Sequence, residues 1–114
     1  MNKAKNYFCS REYKVEDVSA QNPYDLLCTK HGEELHVEVK GTTNFGSTIL
    51  LTRNEVEPIC NESNRCALFI VHSIKIEADI PYSGECRIIS PWKIEKQYLK
   101  PVNYLYEVSG TEDI

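Results

Sequence analysis

The 114-residue chain has no run of eighteen apolar residues, and its first residues, MNKAKNYF, hold no apolar stretch of the signal-peptide kind. The expected compartment is therefore the cytoplasm, with no membrane contact. The five cysteines, Cys9, Cys28, Cys60, Cys66 and Cys86, are odd in number and include no CxxC pair, and His31, His36 and His72 lack ligand spacing with any of them. Neither a zinc site nor a disulfide framework is implied, and the thiols are expected to be reduced and mostly buried. No cysteine sits in a recognisable activating motif, which sets aside a thiol or redox enzyme built on Cys28 or Cys66. The chain also lacks an internal repeat, a low-complexity segment and a glycine-rich phosphate loop of the P-loop or dinucleotide type. A basic surplus is missing too. The formal charge is −4 and the sequence pI about 5.4, opposite to the footprint of a nucleic-acid binder acting alone.

What is present is the composition of a folded chain, 41% apolar with seven Tyr and one Trp. Residues 1–114 suffice for one domain with one core and are too few for two. The length equally suits a fragment or a small partner of a larger protein.

The stretch Tyr24 to Thr43, YDLLCTKHGEELHVEVKGTT, organises the rest. It reads as a β-hairpin, with strands at Tyr24–Thr29 and Leu35–Gly41 and a turn at Lys30–Glu33, where Gly32 is able to take φ > 0. A turn centred between His31 and Gly32 sets Lys30 opposite Glu33 and Asp25 opposite Glu38. Alternation puts Leu35, Val37 and Val39 on one face and His36, Glu38 and Lys40 on the other, the face of Asp25. Two carboxylates directly opposed are destabilising, and no Arg lies on either strand to neutralise them. A hard divalent cation, Mg²⁺ or Mn²⁺, answers this: it takes oxygen ligands, uses one or two carboxylates, and keeps waters that a neighbouring Lys orients or deprotonates. The alternative for the trio is a solvent-facing strand of mixed charge in which Lys40 offsets Glu38.

The order Asp, twelve residues, Glu, one residue, Lys resembles the core of the PD-(D/E)XK nuclease superfamily. The resemblance implies Asp25 and Glu38 as metal ligands together with the Val39 carbonyl, and Lys40 as the group that positions the attacking water. A longer ordered set resembles the domain at the C-terminus of the plant protein No Vein: VEDVS at 15–19, NPYDL at 22–26, HVEVKGTT at 36–43, ILLTRNE at 49–55 and the apolar 68–71. This resemblance spans roughly residues 10–108. E-x-K on a strand is common by itself; the ordered set is far more specific. It implies an α/β restriction-endonuclease-like core, a central mixed sheet flanked by helices, and attachment to a larger restriction or helicase-like protein. Superfamily members often carry a further acid on the helix before the first strand. None of residues 1–10 is acidic, so that group is either missing or supplied by Glu12, Glu16 or Asp17.

Around the hairpin, Ala4, Tyr7 and Phe8 at helical spacing predict a short helix over residues 1–10, and Tyr13–Ser19 reads as a strand. The loop Gly41–Ser47 follows the candidate lysine, where backbone N–H groups and the hydroxyls of Thr42 and Thr43 meet a phosphate or simply connect strands. Thr48–Leu51 reads as a short strand. Thr52 with Glu55 three residues on is a capping box, predicting a helix from Arg53 to about Asn61, with Pro58 inside it. Arg53 and Asn54 at its start are candidate substrate contacts, while capping and solvation account for Thr52 and Glu55. Cys66–Ile76 is the most apolar run and the expected central strand, with His72 a strand-end histidine rather than a general base. A turn at Tyr82–Gly84, a strand at Cys86–Ile89, a helix begun by Ser90-Pro91 that turns Trp92, Ile94, Tyr98 and Leu99 inward, and a strand at Tyr104–Val108 complete the reading.

Two functions of different class follow. One is a metal-dependent DNA endonuclease of a restriction or defence system, with Asp25, Glu38 and Lys40 catalytic and Thr42, Thr43, Arg53 and Asn54 on substrate. A homodimer would suit it, because double-strand cleavage needs two sites or two events. The other is a catalytically inactive nuclease-fold module for nucleic-acid or protein interaction, which the acidic charge and the missing helix carboxylate favour.

Overall fold

Alternation along a single long strand sets the layout. The computed structural model describes residues 1–53, 55–56 and 65–108. In chain order the elements are α1 (Asn2–Ser10), β1 (Lys14–Asp17), β2 (Leu26–Lys30), β3 (Glu33–Gly41), β4 (Cys66–His72), β5 (Lys75–Glu77), β6 (Ile80–Tyr82) and β7 (Glu85–Ile89). Five of the strands form a sheet in the order β1-β2-β3-β4-β7, antiparallel throughout except for the parallel pair β3–β4. The result is mixed α/β with a central mixed sheet. Among the described residues α1 is the one complete α-helix, and no helix is long and apolar enough to cross a membrane.

The hairpin register is the expected one, with Lys30 opposite Glu33 and Leu26 opposite Val37. His31 and Gly32 take φ of 52° and 80°, so both turn residues are left-handed, the geometry that matches strand twist in a two-residue loop. The strand bounds differ slightly from the expectation: β2 begins at Leu26, leaving Asp25 one residue outside it, and β3 starts earlier, at Glu33.

Each face of the sheet is covered. Leu26, Cys28, Val37, Ala67 and Phe69 face α1, whose Ala4 and Phe8 are buried against them. Here α1 gains from tertiary packing what a nine-residue helix lacks alone. Phe8 meets Tyr13 edge-on at 5.6 Å and Tyr7 meets Phe69 at 5.5 Å between ring centroids. Cys66, Leu68 and Ile70 face the other way and pack with Trp92 and Ile94, to which Ile49, Leu51 and Val56 add partly buried surface. The even positions of β3 share this second face, since Glu38 pairs with Leu68 and Lys40 with Ile70.

Four expectations are corrected. Thr48–Leu51 is not a strand; Ile49 and Leu51 lean on the second core while Leu50 is 71% exposed, so hydrophobic alternation holds the segment without a partner strand. No α-helix starts at Ser90. The Trp92 N–H donates to the Cys66 carbonyl at 2.7 Å, and Trp92 and Ile94 enter the core with the two-residue period of extended chain. Tyr98 is 75% exposed, contrary to inward packing. Tyr104–Val108 forms no strand, and the apolar run from Cys66 divides into β4 and a separate two-stranded ribbon, β5–β6, that turns at Ala78 and Asp79 with positive φ. The predicted helix from Arg53 to Asn61 lies mostly outside the described residues; Arg53, Glu55 and Val56 are helical.

Candidate active site

Glu38 lies in the middle of β3 on the second face, only 3% exposed, and Asp25 immediately precedes β2, whose register with β3 ends at the Leu26–Val37 pair. The Asp25 N–H donates to the Val37 carbonyl at 3.0 Å, and the Val39 N–H donates to Asp25 Oδ2 at 2.8 Å. Odd positions of β3 therefore turn their backbone groups toward β2, and the Val39 carbonyl is directed to the side where Asp25 lies. The Tyr24 ring stacks on His36 at 4.1 Å and 3° between planes, flanking the two acids.

Lys40 extends from the same face and is half-buried. Its Nζ lies 3.8 Å from Glu38 Oε1 but donates to Glu55, at 3.0 Å to Oε1 and 2.8 Å to Oε2. Glu55 also closes the capping box: Thr52 N–H donates to Glu55 Oε1 at 2.7 Å, and Glu55 N–H donates to Thr52 Oγ1 at 3.3 Å. Reading Glu55 only as a cap therefore missed a member of the site. Its local role concealed it, because nothing in spacing alone joins residue 55 to residue 40.

The charges are strongly unequal. Burial raises the Glu38 carboxyl, and the Glu55 and Asp25 carboxylates beside it, by hydrogen bond and by charge, bring it to about 9. Glu38 Oε2 is buried and has no hydrogen-bond partner among the described residues. Burial also works against ionisation of Glu55, but the bonds from Glu38, Lys40 and the Thr52 backbone outweigh it and hold Glu55 at about 2. At neutral pH the cluster thus holds a neutral acid, Glu38, beside an ionised Glu55 paired with Lys40.

Other candidates fall elsewhere. Thr42 is consumed by the fold: its N–H donates to the Val71 carbonyl at 2.9 Å, its carbonyl accepts from Ile74 N–H at 3.2 Å, and its Oγ1 accepts from Asn44 N–H at 3.2 Å. Thr43 and Arg53 are exposed, and Asn54 lies outside the described residues. None of the acids near the first strand reaches the cluster. Asp17 accepts from Ser19 N–H and Oγ and pairs with Lys5 at 3.7 Å, Glu16 lies 3.9 Å from Lys14, and Glu12 is exposed with φ 69°. The carboxylate that does join Lys40 there is Glu55. His72 ends β4, its Nδ1 3.0 Å from Ser73 Oγ. Cys28 and Cys66 are buried, with the Cys28 thiol pushed up to about 12 by burial, while Cys9 and Cys86 are exposed; Cys60 lies outside the described residues.

Fold and site together define an α/β domain whose long strand carries an acid and a lysine two residues apart, against an acid from the preceding strand end. The family model described as "Protein NO VEIN, C-terminal" matches residues 1–82, more than half of the chain, and the chain belongs to that family. The match ends at Tyr82, the last residue of β6, so β7, Trp92 and Ile94 lie beyond it, whereas the resemblance read from sequence extended to residue 108. No curated protein and no solved structure matches the chain.

Proposed function

We propose that this chain is a metal-dependent DNA endonuclease-like domain of the PD-(D/E)XK type, with a restriction-endonuclease-like core, hydrolysing phosphodiester bonds in a restriction or defence setting. The observation that carries the reading is the buried Glu38 carboxyl beside Asp25, with Glu38 Oε2 having no hydrogen-bond partner among the described residues. Two neighbouring acids, one of them raised far above the ordinary carboxylate range by burial, form an oxygen donor set whose mutual repulsion a hard cation would relieve. Among the described residues no three His, Cys, Asp or Glu side chains form a metal cage. Mg²⁺ does not need one, because it keeps several waters and binds through one or two carboxylates. Asp25, Glu38 and the Val39 carbonyl fit that demand.

When bound, Mg²⁺ or Mn²⁺ would supply positive charge that polarises the scissile phosphate and lowers the pKa of a ligated water. Lys40 orients the attacking water by hydrogen bond and places an ammonium where negative charge develops on the phosphate. Thr43 and Arg53, both at exposed positions, are the candidate phosphate contacts; Thr42 serves the loop rather than the substrate. A net charge of −4 assigns most of the grip on DNA to a partner domain, such as an attached restriction or helicase-like protein, or to a second copy.

Calorimetric titration with Mn²⁺ and Mg²⁺ of the wild type, Asp25→Ala and Glu38→Ala, with plasmid nicking by the same preparations, tests the proposal. Binding and nicking that vanish together in both variants are expected. A wild type that binds neither ion at millimolar concentration overturns the proposal and leaves an interaction module, the reading that the acidic charge favours.

A further inference from the structure

We propose that Glu55 is a positioning residue for Lys40: the carboxylate that closes the helix-capping box also fixes the lysine ammonium beside Glu38. Three observations converge on it. Glu55 takes both of its short lysine contacts, 2.8 and 3.0 Å, from one Nζ, so the ammonium is held by both carboxylate oxygens rather than touched by one. The carboxylate is itself anchored, since Oε1 also accepts from Thr52 N–H at 2.7 Å, and the Thr52 hydroxyl accepts from Glu55 N–H in return. The pair is half-buried, with side chains 22% and 15% exposed, which removes much of the screening that makes surface ion pairs weak.

An unrestrained lysine has four rotatable bonds and samples a wide volume. Bound at Glu55, its Nζ is confined 3.8 Å from Glu38 Oε1, on the face where Asp25 and Glu38 meet. The start of the segment that crosses over from β3 to β4 thus does two jobs with one side chain: it terminates its own backbone and sets the position of a residue fifteen places earlier. A cap needs only an acceptor for Thr52 N–H. The second bond, to a lysine on the adjacent strand, is surplus to capping, and this surplus assigns the role.

The proposal rests on the nuclease reading for its turnover measurement alone. Two measurements are therefore made on Glu55→Gln, Glu55→Ala and Thr52→Ala: the ¹⁵N order parameter of the Lys40 ammonium, and plasmid nicking with Mn²⁺. Gln still accepts from Thr52 N–H and from Lys40, Ala accepts from neither, and Thr52→Ala removes the hydroxyl cap while leaving the lysine contact. In wild type and Thr52→Ala the Lys40 ammonium is expected to be rigid. It becomes mobile in Glu55→Ala and intermediate in Glu55→Gln, and nicking falls by roughly 10²-fold in Glu55→Ala with partial recovery in Glu55→Gln, the scale set by misplacement of a catalytic group. A rigid Lys40 in Glu55→Ala overturns the proposal. So does equal loosening in Thr52→Ala, which would make the effect one of helix stability. If the wild type does not nick, the nuclease reading fails while the order parameters still decide the role of Glu55.

Discussion

The Val39 N–H donates to Asp25 Oδ2 at 2.8 Å, tying the acid just outside β2 to the strand residue between Glu38 and Lys40. One bond thereby sets the separation of the candidate ligands and also gives the Val39 N–H a partner beyond the end of β2. Asp25→Asn keeps an acceptor for this N–H and loses the charge, whereas Asp25→Ala loses both. Chemical denaturation is expected to find Asp25→Ala less stable than Asp25→Asn by about 1 kcal/mol, the worth of a typical hydrogen bond. Both variants should lose Mn²⁺ binding. Retained binding in Asp25→Asn would remove Asp25 from the cation site.

Glu38 gives the fold a pH dependence with a definite sign. Its carboxyl titrates near 9 when folded and near 4.5 as an ordinary glutamate, so over that interval the folded chain holds the proton more tightly than the unfolded one. The stability it contributes is complete below the unfolded value and is lost as pH rises through the folded one. Glu55 acts oppositely, held at about 2, so its contribution is present above the ordinary value and is lost as pH falls toward 2. Metal-free wild type is expected to lose stability from pH 5 to 9. Glu38→Gln, which has no proton to take up on folding, should be more stable at pH 8 by several kcal/mol, the linkage cost of keeping Glu38 protonated above its ordinary value. Thermal unfolding in chelator across this range makes the comparison; parallel curves for the two proteins would refute the assignment.

Gly84 joins the ribbon to β7 at φ 112°, and a Cβ there would lie 2.9 Å from Val71 Cγ1. Both the backbone and the space demand glycine. Gly84→Ala is expected to cost roughly 1–3 kcal/mol, which for a domain of this size lowers the melting temperature by several degrees. An unchanged melting temperature would contradict the close approach of Gly84 to β4.

His31 occupies the first left-handed position of the β2–β3 turn, where asparagine is preferred. His31→Asn should therefore stabilise the chain slightly, by about 0.5 kcal/mol, without affecting cation binding. Destabilisation would mean that the exposed imidazole makes a contact the turn depends on.

How far the sequence could be read follows from the range of the interactions. The hairpin, its register and the burial of Val37 opposite Leu26 come from neighbours along the chain, through turn chemistry and alternation. The helix of residues 2–10 is local in the same sense. Failures gathered where local pattern and long-range contact compete. Ser90-Pro91 has the form of a helix start, yet the residues after it are claimed by the backbone of Cys66, twenty-six positions away. Tyr104–Val108 alternates like a strand, yet meets no edge of the sheet.

The site divides along the same line. The sequence itself put Glu38 and Lys40 on one face of β3 through the two-residue period, and the two-residue turn brought Asp25 to the end of the neighbouring strand. The tertiary structure alone decided two further points: that Glu38 would be buried and held neutral, and that Lys40 would be bound by Glu55. Burial of Glu38 requires a second layer over that face, and the lysine contact requires the chain to cross from β3 to β4 and bring residue 55 back against residue 40. These are contacts between chain segments that only folding brings together.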